Sequence, residues 1–168
     1  MLFSVLVVAA IVALDQLTKY LATTHLAPVG SMPFIPGIME LRYLLNDGMA
    51  FSLLSGGRWL LIAVTSVAMA GMAWYAWHYR QEMSRLEYVS LLMIIGGGIG
   101  NLIDRVATGY VVDFFATTFI DFAVFNVADC FVTVGVFLLA AAILYGEFIA
   151  KKKAPAQPEG EKSEAADE

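Results

Sequence analysis

Two aspartates stand among apolar residues in the second half of the chain, where charge is costly. Asp113 lies within the run 111–115, and Asp129 lies at the head of a long apolar stretch. An ionised carboxylate at the centre of a membrane helix costs roughly 2.5–3.5 kcal/mol on insertion scales. Two carboxyl groups held together can activate water against a peptide bond, one as base and one as acid. The pair therefore predicts aspartyl protease chemistry inside a membrane.

The composition is that of a membrane protein. Of the 168 residues, 60% are hydrophobic and 15% are charged, and the mean hydropathy is +0.73. A soluble domain is nearer ~45–50% apolar and ~25% charged. The net charge of -5 arises from five acids in the last ten residues, so the rest of the chain is close to neutral. With no basic face, the sequence predicts no nucleic-acid partner.

Four apolar runs predict an integral membrane, all-α four-helix transmembrane bundle. Each is close to the ~20 residues that cross a ~30 Å hydrocarbon core. The predicted spans cover residues 2–21, 59–77, 86–103 and 122–145. Together they form one four-span domain over residues 1–150, and the length leaves no room for a second domain.

The predicted outer regions are the segment 22–58 and the loop 104–121. Turn residues punctuate the first of these, and residues 39–43 alternate with period two, which is typical of a strand. We therefore expect a small extracytoplasmic β-structure between helices 1 and 2. The residues around Asp113 are also strand-like in composition.

Basic residues set the predicted orientation. Arg80 and Arg85 lie between spans two and three, and Lys151, Lys152 and Lys153 follow span four. The excess of lysine and arginine marks the cytoplasmic side, so both termini are predicted to be cytoplasmic. The tail 151–168 has no aromatic or β-branched residue with which to build a core, and it is predicted to be a disordered cytoplasmic tail.

Further polar residues lie at the predicted outer ends of spans one and three. Asp15 and Lys19 are four residues apart, so their side chains share a helix face and can pair. The pair either lowers the cost of membrane insertion or supports a site at the same depth. Asn101, Asp104 and Arg105 form a similar polar face at the end of span three.

Spacing alone leaves the reacting pair open. Asp104 and Asp121 lie on the same predicted side as Asp113 and Asp129. Residues 96–101 are glycine-rich but lack the lysine and serine or threonine of a phosphate loop, and close helix packing explains them better. Cys130 has no neighbouring ligand cluster and is predicted to be a small buried hydrophobe. We expect neither a metal nor a cofactor.

Five short motifs in order resemble the bacterial lipoprotein signal peptidase (signal peptidase II) family. They are Asp15-Gln-Leu-Thr-Lys19, Asn46-x-Gly48-x-Ala50-Phe51, Gly97-x-x-Gly100-Asn101-x-x-Asp104-Arg105, Val112-Asp113-Phe114 and Phe125-Asn126-x-Ala128-Asp129. Each motif is weak by itself, whereas five in sequence on four matching spans are specific. One departure is Met49, where the family more often has alanine.

The resemblance implies a function and a set of roles. The family removes the signal peptide from diacylglyceryl-modified prolipoproteins, cutting just before the lipidated cysteine, and is inhibited by globomycin-type cyclic peptides. Its catalytic aspartates correspond to Asp113 and Asp129. The remaining motif residues imply substrate-binding or supporting roles for Asp15, Lys19, Asn46, Gly48, Asn101, Asp104, Arg105, Asn126 and Ala128. The implied location is the bacterial cytoplasmic (inner) membrane, as a monomer among membrane lipid, with the active site toward the outer face.

One alternative from another class is a small transporter or proton-relay protein. Carboxylates within a membrane and an Asp–Lys pair also suit a proton or substrate path. Such a protein is expected to show inverted repeats or broken helices near the midplane, and the sequence shows neither. The polar residues cluster toward one side, which favours an enzyme at the membrane surface.

Overall fold

The computed structural model describes residues 1–48 and 57–153, which form four long helices and three strands. The helices are α1 (Leu2–Leu21), α2 (Arg58–His78), α3 (Arg85–Ala107) and α4 (Val127–Lys153), and the strands are β1 (Ser31–Ile35), β2 (Met39–Asn46) and β3 (Val111–Thr117). All four helices are long and apolar enough to cross a membrane. This agrees with the predicted number of spans. The motif residues Met49, Ala50 and Phe51 lie outside the described part of the chain.

Helix α3 lies at the centre of the bundle, and its glycines make this possible. A Cβ atom at Gly96 would come within 2.9 Å of Ile11 on α1, and one at Gly97 would meet the backbone oxygen of Ala128 on α4. A Cβ atom at Gly98 would clash with Met69 on α2. The glycine run therefore lets three helices approach one helix closely, as the packing interpretation predicted.

The three strands form one antiparallel sheet in the order β1-β2-β3. Strands β1 and β2 are neighbours in the chain, but β3 comes from the connection between α3 and α4 and pairs with β2 through Leu44 opposite Asp113. The predicted β-structure between helices 1 and 2 was thus incomplete. The residues of the third strand were predicted to lie in the outer loop and to be strand-like, but their pairing with β2 was missed because pairing between distant segments leaves no local signal.

Three predicted boundaries were wrong, in addition to the start of α4. The segment 22–26 continues α1 as a π-helical turn, so the β-structure does not start at residue 22. Helix α3 runs to Ala107, because Asp104 and Arg105 lower the hydropathy without ending the helix. At its far end α4 includes residues 151–153 of the predicted tail, while residues 154–168 lie outside the description.

Helix α4 begins at Val127, not at residue 122. The backbone of Phe125 is paired with Phe115 of β3 in both directions, at 2.8 and 3.0 Å, so this stretch is extended. Asn126 then caps the helix: its side-chain oxygen accepts the N–H of Asp129 at 3.0 Å, and Asp129 Oδ2 accepts the N–H of Asn126 at 3.1 Å. This reciprocal capping fixes the first turn of α4.

Candidate active site

Strand β3 and the first turn of α4 bring Asp113 and Asp129 to one cavity. The cavity has a volume of about 450 Å³, and both aspartates line it. Asp113 is only 2% exposed, because its position in the strand directs the side chain inward. Asp129 is the third residue of α4, where the N-terminal end of the helix dipole favours a negative charge. Neither Asp104 nor Asp121 lines this cavity.

Asn126 connects the two aspartates. Its side-chain oxygen accepts the backbone N–H of Asp129, so its amide nitrogen must face the other way. That nitrogen donates to Asp113 Oδ1 at 2.6 Å. The side chain is fully buried, which excludes exchange of these partners for water. One asparagine therefore sets the relative positions of both carboxyl groups.

Asn46 at the end of β2 binds the second oxygen of Asp113. The side-chain oxygen of Asn46 accepts the N–H of Gly48 at 2.9 Å, and its nitrogen donates to Asp113 Oδ2 at 2.9 Å. The turn after β2 thus fixes the direction of this amide. Each oxygen of Asp113 accepts one amide hydrogen bond and keeps acceptor capacity for a further partner.

Asn101 on α3 binds Asp129 much as Asn46 binds Asp113. Its nitrogen donates to Asp129 Oδ1 at 2.8 Å. Its oxygen accepts from Lys19 Nζ at 2.8 Å and from the amide of Asn126 at 3.1 Å. Because the oxygen accepts from two donors, the amide makes all these bonds in only one orientation. Lys19 thus fixes the orientation of Asn101, whose nitrogen contacts Asp129.

Lys19 forms one ion pair within α1 and another that ties α1 to α3. Its ammonium lies 2.8 Å from Asp15 Oδ2 and 2.9 Å from Asp104 Oδ2. Lys19 is 3% exposed and Asp15 is not exposed at all. The predicted pairing of Asp15 and Lys19 is confirmed, and Asp104 joins it. Such a buried network stabilises only when every member has partners.

Three further hydrogen bonds extend this network. Asp15 Oδ1 accepts the N–H of Ala128 at 3.0 Å, which satisfies a free donor of the first turn of α4. Gln16 donates to Asp104 Oδ1 at 2.9 Å and to the backbone oxygen of Gly100 at 3.2 Å. Sequence reasoning quoted Gln16 inside a motif without giving it a role. Its place beside a charged residue was the only signal.

Arg105 lines the cavity beside the carboxyl groups. One terminal nitrogen donates to the backbone oxygen of Gly48 at 2.8 Å, which connects α3 to the turn after β2. The buried Nε atom has no hydrogen-bond partner within the described residues. Arg105 therefore supports the loop and offers positive charge to the cavity.

The rest of the cavity is mostly apolar, with contributions from Val111, Phe125 and Val134. Cys130 also lines the cavity and is only partly buried. The prediction that it is a small buried hydrophobe was therefore wrong. The pKa of Asp113 is raised to about 6, mainly by burial and less by the nearby charge of Asp129, against the opposing effect of the Asn46 and Asn126 hydrogen bonds and the charge of Lys19. No metal-binding group of three or more His, Cys, Asp or Glu occurs in residues 1–48 and 57–153.

Comparisons with known proteins agree on one family. A family model described as signal peptidase (SPase) II matches residues 7–145. Lipoprotein signal peptidases of Streptococcus pyogenes serotypes M6 and M5 are each 45% identical over 139 residues, which is 83% of this chain and 91% of each relative.

Solved structures support the same assignment. Two structures described as bacterial membrane enzymes align with TM-scores of 0.76 and 0.75, at 29% and 31% identity. The first alignment covers 96% of each chain, and the second covers 86% of this chain and 94% of the other. The four spans and these likenesses agree: the chain belongs to the signal peptidase II family of membrane peptidases.

Proposed function

We propose that this peptidase removes the signal peptide from diacylglyceryl-modified prolipoproteins, cutting before the lipidated cysteine, with Asp113 and Asp129 as its catalytic pair. The observation that carries the proposal is that both carboxyl groups line one cavity and both bind Asn126. Membership of the family supplies the substrate class. The transporter alternative is not favoured, because the family model and the relatives all indicate a peptidase.

The pair works with one shared proton. Two carboxyl groups in a low-dielectric cavity do not both ionise readily, and the pKa of about 6 for Asp113 fits this arrangement. The ionised carboxylate takes a proton from water as the water oxygen attacks the peptide carbonyl. The protonated carboxyl gives its proton to the carbonyl oxygen, and a tetrahedral diol forms.

Collapse of the diol returns the pair to its starting state. The carboxyl that gained a proton from water gives it to the amide nitrogen as the C–N bond breaks. The other carboxylate takes a proton from one hydroxyl of the diol, and the new acid is released. One proton then remains on the pair. Because the two groups titrate together, the roles belong to the pair rather than to one residue.

The surrounding amides and charges hold this pair in position. Asn46, Asn101 and Asn126 each donate to a carboxyl oxygen, which fixes both groups without supplying a proton. Arg105 and the amide of Asn46 line the cavity, where they can bind the substrate backbone or the developing oxyanion. Lys19 and Asp15 hold the helices beneath the site.

The position of the cavity suits a substrate that is part lipid. The sheet and the carboxyl pair lie at the same end of the bundle, and we place this end at the outer face, with both termini in the cytoplasm. The diacylglyceryl group then stays in the bilayer while the peptide bond reaches the carboxyl pair. We expect a monomer to suffice, and globomycin-type cyclic peptides to compete for the same cavity.

The test is cleavage of a diacylglyceryl-modified prolipoprotein by the purified protein. Asp113→Asn and Asp129→Asn are each expected to lower kcat by at least about 100-fold, the lower range for loss of a general acid or base. Asp121→Asn is the matched control, since Asp121 is exposed and outside the cavity lining. Thermal unfolding in detergent verifies that each variant is folded. A folded Asp113 or Asp129 variant with near-parent activity would make the assignment wrong.

A further inference from the structure

A second cavity lies between α1 and α2, away from the carboxyl pair. We call it the α1/α2 groove. It has a volume of about 410 Å³ and rests on α3. Its main apolar lining consists of Val5, Val8, Ala73, Trp77, Leu92 and Ile95. Val12 is the α1 residue of the lining that lies nearest to Lys19. The two residues are about 10 Å apart along the helix at 1.5 Å per residue. The groove is therefore distinct from the proposed active site.

The groove exists because α1 and α2 both pack on α3 and carry small side chains where they face each other. Ala9 and Ala73 face it where larger residues would close it. Its walls stay open to the surroundings, since Val5 is 63% exposed and Trp77 is 55% exposed. A wall of this composition does not hold ordered water, which needs two to four polar partners. At the depth of the hydrocarbon region, an acyl chain is the matching occupant.

One end of the groove is polar and positively charged. Arg80 lines this end, with its guanidinium 5.6 Å from the centre of the Trp77 ring. Ser4 and Tyr88 share a hydrogen bond of 2.8 Å at the same end. The nearby carboxylate of Glu87 accepts the N–H of Ser84 at 2.7 Å and so has a partner on its own helix.

We propose that the α1/α2 groove binds a phospholipid with an anionic headgroup, its acyl chain along α1 and α2 and its phosphate against Arg80. Basic pockets between membrane helices recognise such headgroups. Trp77 holds the guanidinium at the mouth of the groove, where the phosphate of an inserted lipid would lie. A zwitterionic lipid would fill the same space but would gain less from the arginine.

The test measures lipid retained by the purified full chain in native mass spectrometry. The protein is equilibrated with equal amounts of phosphatidylglycerol and phosphatidylcholine. We expect a preference of about 5-fold for phosphatidylglycerol, the ratio that one arginine near a charged headgroup supplies. Arg80→Gln, a change of an exposed side chain, is expected to remove this preference. Ala73→Phe fills the groove and is expected to reduce the binding of both lipids.

Two matched controls separate this site from general attraction to the surface. Arg85→Gln removes an arginine near the same end that does not line the groove, and Ala70→Phe adds a ring on an exposed position of α2 outside it. Both are expected to leave retention unchanged. Equal retention of the two lipids by the parent, or an Arg85→Gln effect as large as that of Arg80→Gln, would overturn the proposal. So would a dimer that occupies the groove and excludes lipid.

Discussion

The substitution Lys19→Met tests how the buried ion pairs and hydrogen bonds hold the site together. The side chain is 3% exposed and donates to oxygens of Asp15, Asp104 and Asn101. Methionine keeps much of the volume and removes the charge. Lys19 is absent from the cavity lining, so it can affect catalysis in two ways: by holding Asn101 against Asp129, and through its charge, which lowers the pKa of Asp113.

Two magnitudes follow from these contacts. Removing one partner of a buried ion pair costs about 3–5 kcal/mol, because Asp15 stays buried without its cation. For a chain of this size that corresponds to a fall in Tm of about 10 °C. The charged hydrogen bond to Asn101 is worth about 1.5–3 kcal/mol. If the loss of this hydrogen bond raises the barrier at Asp129 by the same amount, kcat falls roughly 10- to 100-fold.

The assay combines thermal unfolding in detergent with cleavage kinetics on a lipidated prolipoprotein. We expect kcat to fall at temperatures where Lys19→Met remains folded, with little change in KM, since Lys19 does not face the substrate. The control is Arg42→Gln, which breaks a surface pair with Glu40 at a residue whose side chain is 56% exposed and should cost less than about 1 kcal/mol. A folded Lys19→Met protein with kcat and Tm close to those of the parent would refute the reasoning.

Three further changes test other parts of the structure. Gly97→Ala places a Cβ atom against the backbone of Ala128 and should lower stability by about 1–3 kcal/mol, whereas Gly71→Ala, with no atom within 4 Å of its Cβ, should not; thermal unfolding compares them. Arg58→Gln removes donors to the last carbonyls of α3, at 2.9 and 2.8 Å, and should lower Tm by a few degrees through a loss of about 1 kcal/mol. Because the pKa of Asp113 is about 6 in the folded protein against an ordinary 3.8, the folded state binds more protons between these values, and stability should fall by about 3 kcal/mol as pH rises through that window. Asp113→Asn should weaken this slope, and unchanged unfolding curves from pH 4 to 7.5 would contradict it.

Local patterns predicted the helices because hydropathy and helical spacing act within one segment. The four spans were found from apolar runs alone, and the pairing of Asp15 with Lys19 followed from a spacing of four residues. The same logic failed at helix ends. Helix α3 continues past residue 103 because Arg105 and Asp104 find buried partners in the fold, which hydropathy does not register.

Contacts between distant segments were beyond prediction from the residues alone. The side chain of Asp113 meets that of Asn46 across 67 positions of sequence, and β3 joins the sheet through its backbone pairing with the equally distant β2. The start of α4 depends on the bridge between Phe115 and Phe125, which again joins separate segments. The family resemblance named Asn46 and Asn126 as supporting residues, but their hydrogen-bond partners came only with the fold.

The distribution of charge around the site explains why a proton should stay on the carboxyl pair. Lys19 is already shared between the aspartates of α1 and α3 at 2.8 and 2.9 Å, so its charge is largely balanced there. Arg105 is the other cation of the site, and a terminal nitrogen of it is used by the backbone of Gly48. If Asp113 and Asp129 were both ionised, they would carry more negative charge than their surroundings balance, in a cavity of mostly apolar walls. A single retained proton lowers that excess by one charge, and the same proton is the one that the proposed hydrolysis requires. Lys19 therefore holds Asn101 in place, and its charge, although paired with Asp15 and Asp104, still lowers the pKa of Asp113.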